Sequence, residues 1–426
     1  MTGHSGPSSR LSLLSLPPLL VSILLFGCEG DGPGAVASAT VDTVAGVEAL
    51  TYPAVAGPQL AWAVDTVLIL GDAMAEPEYQ FGMPGDAQLA GDGRGHIYVA
   101  DEEGSRVLEY GPDGRHVATY GREGEGPGEL KRPLGVAVGS GDTVWVNDPV
   151  NRRLTGYPRG GGEPRVVSYP RRDIFPGAQM ARGDHGFLLV IRAITVPGEP
   201  IPEPLIRTDG ALEPLDTLWR PPPSPVDIVQ LDMGTRAFTL GLTREFWPEF
   251  RWRALPGPAG AAVVSDSADY VIRIIAGDGT VRRVVRREPP ARAASEADRQ
   301  RERDRILDGE LGFSVAMDGH GPDEQARRRM AEARVDAMTF DDRIPRIVAL
   351  NVDPHGRIWV GVSEDIAKTV QRIDVYEPDG SLVGELRDVS FPQAFTGEDR
   401  ILTTRRDELD VPQVVVMRLG GMSLNP

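Results

Sequence analysis

The sequence predicts an all-β fold, a six-bladed β-propeller in which an N-terminal strand closes the last blade and a helical insertion separates blades four and five. Three observations carry this reading. One short stretch holds a complete four-strand unit, the unit recurs along the chain, and its last copy lacks the strand that an early segment supplies.

The template is Asp86 to Leu130, GDAQLAGDGRGHIYVADEEGSRVLEYGPDGRHVATYGREGEGPGEL with its preceding glycine. An apolar segment at Ala87 to Ala90 meets a Gly/Asp turn. His96 to Ala100 and Arg106 to Tyr110 then alternate in β-rich residues, and Pro112, Asp113 and Gly114 turn the chain into His116 to Tyr120. Four strands in about 35 residues make a blade.

The pattern returns at Val144 to Asp148, followed by Asn151 to Tyr157 and a Gly160-Gly161 turn. Phe187 to Arg192 with Asp209-Gly210, Ala262 to Asp266 with Asp278-Gly279, and Ile358 to Val362 with Asp379-Gly380 give three more copies. Gly397 to Thr404 with Val414 to Leu419 is the sixth, without an outer strand. Asp65 to Leu70 alternates apolar and polar residues and is the expected splice, because closure removes the unpaired edges of the first and last blades.

Blades three and four are stretched. Thr195 to Pro204 and Arg220 to Pro225 are proline-rich loops that cannot be central strands. Glu245 to Trp252, EFWPEFRW, reads either as core packing or as a binding loop over one face of the ring. Residues from about 291 to 340 read as two helices: one begins at a Ser295/Asp298 capping box and carries alternating charges suited to an exposed helix, the other runs from about Pro322 through Met330, Val335 and Met338. Between them Leu311 to Gly321 is a loop. The insertion is either a lid over the central mouth or an ornament of the fold.

Ahead of the propeller, residues 1–27 read as a signal peptide: Leu11 to Phe26 is apolar but short and broken by Pro17 and Pro18. Leu25, Phe26, Gly27 and Cys28 resemble a bacterial lipobox, which makes Cys28 the lipidated residue and the N-terminal lipid the contact with the membrane. Cys28 is the single cysteine, so an intrachain disulfide and a cysteine zinc site are excluded. Glu29 follows it, favouring the bacterial outer membrane over inner-membrane retention. Residues 28–58, rich in Gly, Ala, Thr and Pro, read as a flexible tether, and 59–426 as the propeller.

The 426 residues include 62 acidic and 45 basic side chains, a net charge of −17, which argues against a nucleic-acid partner. Gly 50 and Pro 37 suit a fold of many short strands and turns.

In a propeller, the loops after each second strand share a face with the loops between blades, and ligands bind there. That face is expected to carry Asp101, Asp148 and Asp266, with Arg122, Glu125 and Glu129 from the GREGEGPGEL loop. Arg106 and Arg152 are close enough in sequence to pair with Asp101 and Asp148. Recurring Asp residues of this kind cap turns and pair with Arg, or form a ring of carboxylates for Ca²⁺. Gln88, Gln179 and Gln393 fall near the starts of inner strands, as hydrogen-bonding groups and poor metal ligands.

The pattern "GxIYVAD…RV…Y…DG" with the GREGEGPGEL loop resembles the NHL-type six-bladed propellers, over roughly Asp65 to Leu419, and with the lipobox it resembles bacterial propeller lipoproteins. That resemblance implies architecture, since the fold hosts scaffolds, ligand binders and enzymes. NHL-type amidating lyases place histidines on inner strands around zinc, whereas none of the six histidines here (His4, His96, His116, His185, His320, His355) falls on an expected inner strand. No nucleophile elbow or phosphate loop is present. The sequence therefore points to a ligand- or protein-binding module at the cell envelope, with no cofactor called for. The alternative is a metal-dependent lactonase- or lyase-like enzyme using the central channel.

Overall fold

The computed structural model describes residues 38–55, 57–139, 142–170, 174–183, 186–193, 199–232, 237–257, 261–309 and 323–420. Cys28, the signal peptide, His4, His185, His320, Pro322 and the 311–321 loop lie outside them.

The chain is a six-bladed β-propeller. Blade one is Leu89–Gly91, Ile97–Asp101, Arg106–Tyr110 and His116–Tyr120, each strand antiparallel to the next, with Asp101 opposite Arg106. Blades two to five repeat this order, starting from Gly135–Val138, Ile174–Arg182, Arg251–Ala254 and Ile347–Val352. Blade six takes three strands from Ala394 to Gly420. Its fourth is Ala63–Leu70, in register with Pro412–Gly420 so that Leu70 faces Val414 and Asp65 faces Arg418. The expected splice is in place.

Alternation along each strand presents one apolar row to each neighbouring blade, and six separate clusters result. Leu402, Val414 and Val416 of blade six pack on Ile97, Leu108 and Tyr110 of blade one. Equivalent clusters join one to two, two to three, three to four, four to five and five to six. Every blade is thus covered on both faces. At the axis the inner strands crowd together: a Cβ on Gly135 would sit 1.9 Å from the Ala178 carbonyl oxygen, and one on Gly91 would sit 2.2 Å from that of Phe395.

Three regions differ from the sequence reading. Residues expected to lie in the tether form a hairpin, Thr40–Val44 with Val47–Tyr52, whose second strand runs parallel to Val281–Arg287 and extends blade four outward. Leu50 and Tyr52 are buried there, and the Leu382 N–H donates to the Tyr52 hydroxyl at 3.0 Å, so burial holds this segment against the blade. A second hairpin, Val226–Asp232 with Ala237–Thr243, precedes blade four. In blade two the third strand starts at Arg153, because Arg152 adopts φ +55° in the turn.

The helical insertion between blades four and five consists of α1, Glu296–Leu307, and α2, Glu324–Ala337. The Ser295 hydroxyl accepts from the Asp298 N–H at 3.2 Å while the Ser295 N–H donates to the Asp298 carboxylate at 2.9 Å, the reciprocal box that the sequence indicates. Asp323 caps α2 by accepting from the Ala326 N–H at 2.7 Å. Ile306 and Met330 pack on Val229, Leu240 and Leu242 of the second hairpin. Contrary to the expectation of an exposed helix, Asp298 and Glu302 of α1 are buried, Asp298 held by Arg292 and Arg301 and Glu302 by Arg305. Among the described residues no helix is long and apolar enough to cross a membrane.

Candidate functional site

The aspartates at the ends of second strands act as fasteners between the ring and its inter-blade loops. Asp101 accepts from the N–H groups of Gly82 (3.2 Å) and Gly104 (3.1 Å) and from Arg106 Nε (3.0 Å). Asp148 accepts from the N–H groups of Lys131 (2.8 Å), Arg132 (3.2 Å) and Asn151 (3.2 Å) and from the Asn151 amide (2.8 Å). Arg152 lies over the rings of Tyr169 and Phe175. Asp266 accepts from Trp219 Nε1 (2.8 Å) and Arg273 Nη1 (2.5 Å). These carboxylates point into the protein and are engaged by its own donors.

The GREGEGPGEL loop is likewise turned on itself. Arg122 Nε and Nη2 reach Glu129 Oε1 at 3.0 and 2.9 Å, Glu125 pairs with Lys131, and Arg153 donates to the carbonyls of Glu125, Gly126 and Glu129. The Gly126 N–H and Arg122 hold Glu129 below the usual carboxylate range, and Lys131 does the same for Glu125. Gln88 accepts from the Gly85 N–H (2.8 Å) and donates to the Pro133 carbonyl (3.2 Å), bridging blades one and two.

Two of the expected residues converge elsewhere. Gln179 and Gln393 line a central channel of about 440 Å³ that touches the first strand of every blade. Between them lie Arg253 of blade four and Asn351 of blade five. Arg253 Nη1 donates to Gln179 Oε1 and to the Trp252 carbonyl (2.9 Å), and its Nε donates to Asn351 Oδ1 (3.1 Å). The Asn351 amide donates to the Gln393 carbonyl (2.9 Å), and Gln393 Nε2 donates to Asp86 Oδ1 (2.9 Å). The result is a polar arc on a wall that also carries apolar Leu89, Val136, Val138 and Met180 and charged Asp86, Arg182 and Asp353. Burial pushes Arg253 down to about 10, against the pull of Asp86.

A larger cleft, about 870 Å³, opens on the loop face between the insertion, the second hairpin and loops of blades three and five. The insertion therefore stands over the expected face and walls a cavity there. Opposite charges line it in pairs: Glu245 with Arg334, Glu302 with Arg305 (Nε to Oε2, 3.0 Å), Arg192 with Glu203 (2.5 Å), and Glu249 with Lys368 (2.8 Å). Burial raises Glu245 above its ordinary range despite Arg334, and Glu302 adds to the rise. The EFWPEFRW stretch divides between core and cleft. Phe246 and Trp252 are buried in core clusters, while Trp247 and Phe250 line the cleft.

Among the described residues no group of three or more His, Cys, Asp or Glu is placed to hold a metal ion. Arg253 and Asn351 had a findable signal: each is a polar residue on an inner strand, as Gln179 is. Of the cleft residues, Glu245, Trp247, Glu249 and Phe250 lie in the EFWPEFRW stretch that the sequence singles out; the others come from separate segments that share no local pattern.

No family model and no curated protein sequence matches the chain. Among solved structures it is similar to a protein from Bacteroides vulgatus of the DUF4221 family (9% identity, 84% of this chain and 98% of that one, TM-score 0.47). It is also similar to a protein from Bacteroides fragilis designated exported (8%, 87% and 99%, TM-score 0.44) and to virginiamycin B lyase from Staphylococcus aureus (10%, 84% and 99%, TM-score 0.37). The likeness is one of fold alone.

Proposed function

We propose that the chain is an exported, lipid-anchored binding module that holds a zwitterionic ligand of peptide size in the loop-face cleft. The signal-peptide pattern and the lipobox at Cys28 support the address, and Glu29 after it favours the outer membrane. One observation carries the activity: the cleft juxtaposes charge pairs with the Trp247 and Phe250 rings, which suits a molecule bearing both charges and apolar groups. The helical insertion serves as a wall of the site.

The test is native mass spectrometry of the detergent-solubilised lipoprotein titrated with zwitterionic tripeptides containing an aromatic residue. Saturable binding that is lost on Trp247→Ala with Phe250→Ala supports the reading; equal binding by both proteins, or none, overturns it. In parallel, Cys28→Ser should move the protein from the detergent phase to the aqueous phase of a Triton X-114 partition. Retention in the detergent phase would remove the lipid anchor.

A further inference from the structure

We infer that the central channel is a second binding site, one that holds a small organic carboxylate on Arg253. A guanidinium has five N–H groups. In Arg253 three are spent on Gln179, Asn351 and the Trp252 carbonyl, and among the described residues the two on Nη2 have no acceptor. No described carboxylate lies within ion-pairing distance of Arg253. This contrasts with Arg106, Arg159, Arg287 and Arg372, which all sit against acids.

A cation held at a fixed angle in the channel, with Asp86 acting on it from a distance and no carboxylate in contact, is a receptor for an anion. The lining sets Arg182 and Arg253 against Asp86 and Asp353, with no excess of positive charge, which disfavours the two negative charges of a phosphate relative to the one of a carboxylate. The walls set the rest of the ligand: Leu89, Val136, Val138 and Met180 favour an apolar body behind the carboxylate. The volume, about 440 Å³, admits an acid the size of benzoate or hexanoate. This site shares no lining residue with the loop-face cleft, so the two readings fail separately.

The experiment is a melting-temperature and calorimetric titration with benzoate and hexanoate at matched ionic strength, with hexylamine and inorganic phosphate as controls. A carboxylate at a hundredfold its Kd should raise the Tm by about 3 °C for a domain of this size. Arg253→Gln should abolish that rise. Asn351→Asp places an internal carboxylate beside the retained guanidinium and should weaken carboxylate binding about tenfold or more, which keeps the test intact if the first variant misfolds. The assignment is overturned if neither acid gives a saturable response, if phosphate matches them, or if Asn351→Asp binds as tightly as the parent.

Discussion

At the scale of single residues, several buried carboxylates are held by surrounding donors. Asp298 is the clearest case. Hydrogen bonds from Arg292 hold its carboxyl far below the usual range; burial opposes this, and Ser295 and Arg301 add to the lowering. A depressed pKa makes the ionised form the stabilising one. Its contribution is complete above the unfolded-state value near 4 and is lost as pH falls toward the folded-state value. Asp298→Ala should therefore cost about 2 kcal/mol at neutral pH and flatten the loss of stability below about pH 4, read from urea midpoints across pH. The sequence disclosed the cap but not the burial: an alternating-charge helix reads as solvated until the partners of its inner acids are known. Asp101, Asp148 and Asp266 were legible because they recur with the blade pattern, and that recurrence is itself the mark of a structural role.

At the scale of elements, one ion cluster clamps blade four to blade five. Arg287, with no exposed side-chain surface, lies 2.7 Å from Asp374, pairs with Glu385 and donates to the Ala54 carbonyl at 3.0 Å; Arg372 reaches Asp374 from the other side at 2.7 Å. Arg287→Met leaves two acids with fewer cations and should destabilise the protein by about 3–5 kcal/mol in urea unfolding. The hairpin at 40–52 ends beside this cluster. A fragment beginning at Pro58 keeps the closing strand but uncovers the edge of Val281–Arg287. It should be about 2–4 kcal/mol less stable than one beginning at Ser38, through loss of the buried Leu50 and Tyr52, and more prone to self-associate. Removing residues 38–44 alone should change little, because Thr40–Val44 is exposed throughout. The hairpin was hidden because a Gly, Ala, Thr and Pro composition reads as a linker. Its strand character is fixed by a partner more than two hundred residues away.

At the scale of the whole molecule, blade count, splice and insertion were readable because Asp-Gly turns and alternating strands repeat with a period, and a period survives local noise. The channel and the cleft were not readable in the same way. The channel arc assembles Gln179, Arg253, Asn351 and Gln393 from four blades, and the cleft joins two insertions to two blade loops. Only closure of the ring brings such residues to one place, and no local pattern encodes it.

The splice also orders the life of the chain. The strand Ala63–Leu70 is synthesised before any blade, and its partner Pro412–Gly420 after every blade, so the ring stays open until translation has passed residue 412. A truncated product would expose two raw sheet edges, while the finished chain exposes neither. Closure thus serves as a readout of full-length synthesis. Because Ala63 faces Gly420 across the joint, a short turn linking them, with new termini between blades, would convert the last blade to contiguous chain and remove that dependence.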